Sequence, residues 1–138
     1  MVLKVRIKVE RIDGLPIGEY TAIVNSGFSG RKCEVLIPGS LINVNLLSQV
    51  SNPAPTSKLS GGGTSIPLIR YSDAVNVYII GDDRVEGPVK SDVLISDRAK
   101  YVLLNDKLTS MLKIVIIDPS EGLWCFRDEL GVRFRRGI

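Results

Sequence analysis

Histidine is absent from the 138 residues. That absence removes Ser-His-Asp and Cys-His catalysis, histidine metal ligation and the histidine proton shuttle. Cysteine occurs only at Cys33 and Cys125, without Cys-x-x-Cys spacing. No structural zinc site is expected from that pattern, and no metal or other cofactor is called for. Two reduced thiols are the expectation, although a bond between them turns on a distance that spacing does not give. Aromatic residues are scarce, with three Phe, four Tyr and one Trp. The core must therefore be built from Val, Ile and Leu, and the β-branched members of that set favour strands. No apolar run approaches the length of a membrane span. The N-terminus alternates charged and apolar residues, unlike the continuous apolar core of a signal peptide. A cytoplasmic protein with no membrane partner is expected.

What is present fits a single globular domain over residues 1–138. Hydrophobic residues make up 44% and charged residues 24%, a balance that can bury a core. The charges, 18 basic against 15 acidic, are mixed along the chain and sum to only +3. A solvated mixed surface explains them better than a nucleic-acid interface, which would also need stacking aromatics.

Strand signals dominate. Leu3, Val5, Ile7 and Val9 alternate with charged residues, the period of a strand with one wet face. Asp13-Gly14-Leu15-Pro16 reads as a turn. Tyr20 to Val24 reads as a buried strand that runs into the small-residue loop Asn25 to Gly30. Val35-Leu36-Ile37 is a short buried strand stopped by Pro38-Gly39, and residues 40–50 could hold a turn or a short helix. Residues 52–65, rich in Pro, Ser and Gly, read as the most mobile stretch. Ile66 to Ile69 and Val75 to Ile80 read as the two sides of a long hairpin or meander, with Gly81-Asp82-Asp83 as a turn. Val85 to Val89, Val93 to Ile95 and Val102 to Leu104 are further short strands. Asn105 to Lys113 carries helical periodicity, with Leu104, Leu108, Met111 and Leu112 on one face and Asn105 as N-cap. Ile114 to Ile117 and Leu123 to Arg127 complete the strands, and the tail alternates through Val132, Arg133, Phe134 and Arg135. No internal repeat is evident. The fold class is all-β with one short α-helix.

Two segments carry a family resemblance. The first is Ala22-Ile23-Val24-Asn25-Ser26-Gly27-Phe28-Ser29-Gly30, followed by Val35-Leu36-Ile37-Pro38. The second is Tyr101-Val102-Leu103-Leu104-Asn105-Asp106-Lys107-Leu108, followed by an apolar strand and Gly122-Leu123-Trp124. Together they resemble the retropepsin-like aspartic proteases, particularly the small single-domain prokaryotic or archaeal kind, over roughly residues 1 to 130. The resemblance implies a closed β-barrel of the acid-protease fold and a symmetric homodimer. In that family each subunit supplies one aspartate, and the pair shares a proton, activates water and protonates the leaving amine. It also implies a glycine-rich flap closing over an extended peptide or unfolded segment. Carried onto this chain, the catalytic positions are Asn25, Ser26 and Gly27. The substrate-binding positions are Phe28, Ser29, Gly61, Gly62, Gly63, Leu104 and Asn105.

Two positions depart from the family pattern. Asn25 stands where the resemblance calls for Asp, and an amide has no acid–base function in the working pH range. Asn105 stands where the family has Gly, and Asn tolerates left-handed backbone better than other side chains. The expectation is an aspartic endopeptidase scaffold that is inactive as sequenced. The alternatives are a non-catalytic module binding peptides in the same groove and a small basic β-barrel binding nucleic acid. Asp82, Asp83 and Asp97 read as solvated turn carboxylates, Trp124 as packing, and Arg133, Arg135 and Arg136 as a solvated strand end.

Overall fold

The computed structural model describes residues 3–24, 27–59 and 62–138. Ten strands run in chain order: β1 Lys4–Arg11, β2 Pro16–Val24, β3 Glu34–Pro38, β4 Pro53–Leu59, β5 Ser65–Ile80, β6 Val85–Ser96, β7 Val102–Leu104, β8 Ile114–Asp118, β9 Leu123–Phe126 and β10 Arg135–Arg136. Two short helices join them, α1 Val44–Ser48 and α2 Asp106–Met111. One helix was expected. The second, α1, occupies the ambiguous segment, where Asn43 caps it by accepting from the Asn45 N–H at 3.1 Å.

Six strands close a barrel in the order β1-β2-β7-β3-β6-β5, with β5 returning to pair with β1. The 16-residue β5 does two jobs. Its first half carries β4 as an outer hairpin, and its second half closes the barrel. The alternation in β1 sends Val5, Ile7 and Val9 inward, where they meet Val24, Ile37, Val77 and Leu104. A smaller sheet, β8-β9-β10, packs beside the barrel through Trp124 and Phe126, whose rings meet edge to face at 5.0 Å. The packing reading of Trp124 therefore holds.

Several boundaries differ from expectation for identifiable reasons. The two expected sides of a hairpin, Ile66 to Ile69 and Val75 to Ile80, are one strand. Ser72-Asp73 looks like a turn but is a bulge, where the β5–β6 register shifts and Asp73 takes φ +49°. The hairpin lies earlier, between β4 and β5, so residues expected to be mobile include a paired strand. Its prolines are tolerated because β4 is the edge of the sheet. Likewise β6 runs unbroken through Lys90-Ser91-Asp92. Tyr20 to Val24 is not fully buried; Ala22 and Val24 are buried, and Tyr20 packs against the core partly exposed. Met111 is exposed, while Leu104, Leu108 and Leu112 form the buried face around α2. Arg135, expected in solvent, is buried against the faces of Trp124 and Phe126. Both cysteines are free. No described helix is long and apolar enough to cross a membrane.

Candidate functional site

The site begins with the placement of β7. This strand lies between β2 and β3, so the connection from β2 to β3 must pass over the end of β7. Val24 pairs with Leu104 in parallel, and Val35 pairs with the same Leu104 in antiparallel. The chain therefore leaves β2 and β7 side by side, heading the same way. One exit leads into the loop after Val24, and the other into α2. The N–H of Asp106 donates to the carbonyl of Phe28 at 2.9 Å, and the N–H of Asn105 to the carbonyl of Glu34 at 3.1 Å. Two motifs far apart in the chain are thus joined backbone to backbone.

Asn105 is the centre of this junction. Its Oδ1 accepts from the N–H of Leu108 at 2.9 Å, capping α2, and from the N–H of Glu34 at 3.0 Å. Its Nδ2 donates to the Lys32 carbonyl at 2.8 Å and to Glu34 Oε1 at 3.2 Å. A primary amide offers two donors and accepts comfortably twice, so its capacity is used up. The expected cap is present, but at φ −78°, so left-handed tolerance is not needed. Asn105 and Leu104 were expected to line the substrate site. Both are fully buried, and their part is to support the loop.

Beneath the loop lies a cluster of charges that the sequence reading did not single out. Glu34 is buried, with Oε1 2.9 Å from Lys58 Nζ and Oε2 2.7 Å from Arg70 Nη1. The same Nη1 donates to Asp92 Oδ2 at 2.6 Å. Asp92, fully buried, also accepts from the Asp73 N–H at 2.8 Å and pairs with Lys32 at 2.9 Å. Burial pushes the Asp92 carboxyl up, but the Asp73 N–H, Lys32 and Arg70 outweigh it and hold it below the usual aspartate range. Lys32 is correspondingly raised, first by its bond to Asp92. Glu34 and Asp92 face each other in the parallel β3–β6 register. A signal for them existed: Glu34-Val35-Leu36-Ile37-Pro38 and Asp92-Val93-Leu94-Ile95-Ser96 are nearly the same pentapeptide, each an acid ahead of an apolar triplet.

The hairpin of β4 and β5 is pinned to the loop through this cluster. Lys58 on β4 donates to the Ser29 carbonyl at 3.1 Å and sits 5.7 Å from the centre of the Phe28 ring. Phe28 is buried with Leu36, Leu68 and Leu94 in a second apolar cluster outside the barrel. A Cβ at Gly30 would stand 2.6 Å from Glu34 Oε1, so any larger residue there must push the Glu34 carboxylate aside. Gly27, Ser29, Gly62 and Gly63 are exposed, with Gly63 at φ +81° in the hairpin tip, a backbone that favours glycine. Asn25, Ser26 and Gly61 lie outside the described residues.

The structure thus brings together Phe28, Ser29, Leu104 and Asn105, with the β4–β5 hairpin against them. Glu34, Asp92 and Asp73 all hold cations, so they act as structural anchors rather than as poised acids or bases. No protein-family model matches the chain, and no curated protein matches it in sequence.

Proposed function

We propose that this chain is a retropepsin-like aspartic endopeptidase scaffold that works as a symmetric homodimer and is inert as sequenced because Asn25 replaces the catalytic aspartate. One observation carries the reading. The strand leaving Val24 and the strand leaving Leu104 end side by side, and the loop after the first is locked to the helix after the second by Asn105. That arrangement holds a short exposed loop at a fixed place on a closed barrel, as a chain contributing half of a two-fold site requires. The β4–β5 hairpin, pinned over Phe28 and Ser29 by Lys58, supports the flap part of the reading. An extended segment between hairpin and loop would gain strand-like backbone bonds. Asn25 itself favours a second reading, in which the groove binds peptides without cutting them, because an Asn pair offers neither general base nor general acid.

The test compares the chain as given with Asn25→Asp on unfolded protein substrates from acid to neutral pH. A transition-state-mimicking aspartic-protease inhibitor is the control. Cleavage by the Asn25→Asp variant alone, blocked by the inhibitor, is the expected result. If neither form cuts while both stay folded and dimeric, the peptide-binding reading stands instead. Sedimentation as a monomer at micromolar concentration would count against both.

A further inference from the structure

A pocket of about 520 Å³ opens where the start of β1, the end of β5 and the C-terminal strand meet. None of its residues belongs to the loop, to the half of β5 that pairs with β4, or to α2. Its walls carry the side chains of Lys4, Arg6, Arg133, Arg135 and Arg136 against a single acidic side chain, Asp82. This convergence is not visible in the weak net charge of the whole chain.

Two kinds of cation line it. Arg133 and Arg135 share Asp83, each at 2.7 Å, and Arg135 also holds Glu129 at 2.7 Å. Arg135 is held from both sides, by Glu129 at Nε and Nη2 and by Asp83 at Nη1, and is buried, so it is fixed and adds positive field to the pocket. The exposed Arg133, by contrast, is held through Nη1 and keeps N–H groups to offer. Lys4 and Arg136, by contrast, have no ion-pair partner among the described residues. The close approaches that shape the pocket are built in. A Cβ at Gly81 would stand 2.9 Å from Arg135 Nη1, and one at Gly137 would stand 2.8 Å from the Lys4 carbonyl. The exposed ring of Phe134 supplies most of the apolar wall, with the buried Val5 and Trp124 behind it. The indole N–H of Trp124 is buried and has no acceptor among the described residues. An unpaired buried N–H of this kind is unfavourable.

Donors here outnumber acceptors, apolar wall is present, and the volume falls in the range of small-molecule sites. We propose that this pocket binds a small organic oxyanion, a phosphate or carboxylate group carried on an apolar or aromatic body. The proposal is independent of the protease reading. The anionic group lies between Lys4 and Arg136, and the body lies against Phe134 and Trp124.

Trp124 is the chain's single tryptophan, so its emission reports on the pocket directly. The full chain is titrated with AMP, N-acetylphenylalanine, inorganic phosphate and adenosine, following Trp124 emission and binding heat. Saturable binding of AMP or of N-acetylphenylalanine, whichever anionic source is preferred, is expected, with adenosine and inorganic phosphate each weaker by about tenfold or more. Arg136→Gln and Lys4→Gln should each weaken that binding about tenfold, and Asp82→Asn should tighten it about threefold. Thermal unfolding checks that each variant remains folded. The proposal is overturned if no anion binds at millimolar concentration. It is equally overturned if adenosine binds as well as AMP, if bare phosphate binds as well as either organic anion, or if the folded Arg136→Gln and Lys4→Gln variants bind unchanged.

Discussion

The molecule contains two ionic clusters built on opposite plans. Beneath the candidate loop, the carboxylates of Glu34 and Asp92 are buried and the cations reach in from the rim. Beside the small sheet, the cation Arg135 is buried on the faces of Trp124 and Phe126, while Asp83, one of its acids, stands in water. A buried carboxylate stripped of its partner has nowhere to go, whereas an exposed one is rehydrated at once. The first cluster should therefore be expensive to break and indifferent to salt. In the second, the Asp83 side should be cheaper to break and screened by salt, while the Arg135–Glu129 pair is buried like the first cluster.

The largest expected effect comes from Arg70→Ala, which leaves two buried acids without their shared cation. Urea unfolding should show a loss of about 3–5 kcal/mol; a loss below about 1 kcal/mol would erase the distinction between the clusters. Next is Asn105→Ala, which removes a helix cap and strands the buried Glu34 N–H, for about 2–3 kcal/mol in the same measurement. Asn105→Asp should keep the cap yet set a carboxyl against Glu34, so its deficit should shrink as the pH falls.

A pH scan sharpens the contrast further. The guanidinium of Arg135, helped by Arg133, holds Asp83 at about 2 against an ordinary 3.8. Arg135 likewise holds Glu129 at about 2 against 4.5. Because the folded values lie below the unfolded ones, their stabilisation is complete above about pH 4.5 and is lost as pH falls toward 2. Melting temperature should be flat near neutrality and drop through that window, with a shallower slope in Asp83→Asn. A melting temperature unchanged down to pH 2 would remove the assigned role of Arg135. The smallest effect is the salt response. A double-mutant cycle on Arg133 and Asp83 should lose its coupling in molar salt, while one on Arg70 and Asp92 keeps most of it.

Much of the barrel could be read from residue order. The alternation of β1, the buried triplet of β3, and Asn105 as a cap are local signals, and local physics decides them. What escaped depends on distant partners. Asp73 looks like a turn residue until Asp92, on the neighbouring strand, accepts its N–H and the turn becomes a bulge. Pro53 and Pro55 argue against a strand until the strand proves to be an edge. Arg135 looks solvated because nothing local announces that Asp83 and Glu129 will fold back on it. At the candidate site, the loop and helix were visible as separate motifs. The acids beneath them left only a matching pattern of an acid ahead of an apolar triplet, which does not tell that they are buried, since burial of a Glu or Asp is set by cations elsewhere in the chain.

The position of β7 also sets an order on how the molecule can be made. Val24 and Val35 both wait for Leu104, so neither edge of the gap between β2 and β3 can be filled until that residue has left the ribosome. Until then β2 and β3 each keep an open flank. Such a chain gains little from early zippering and must assemble late and nearly all at once.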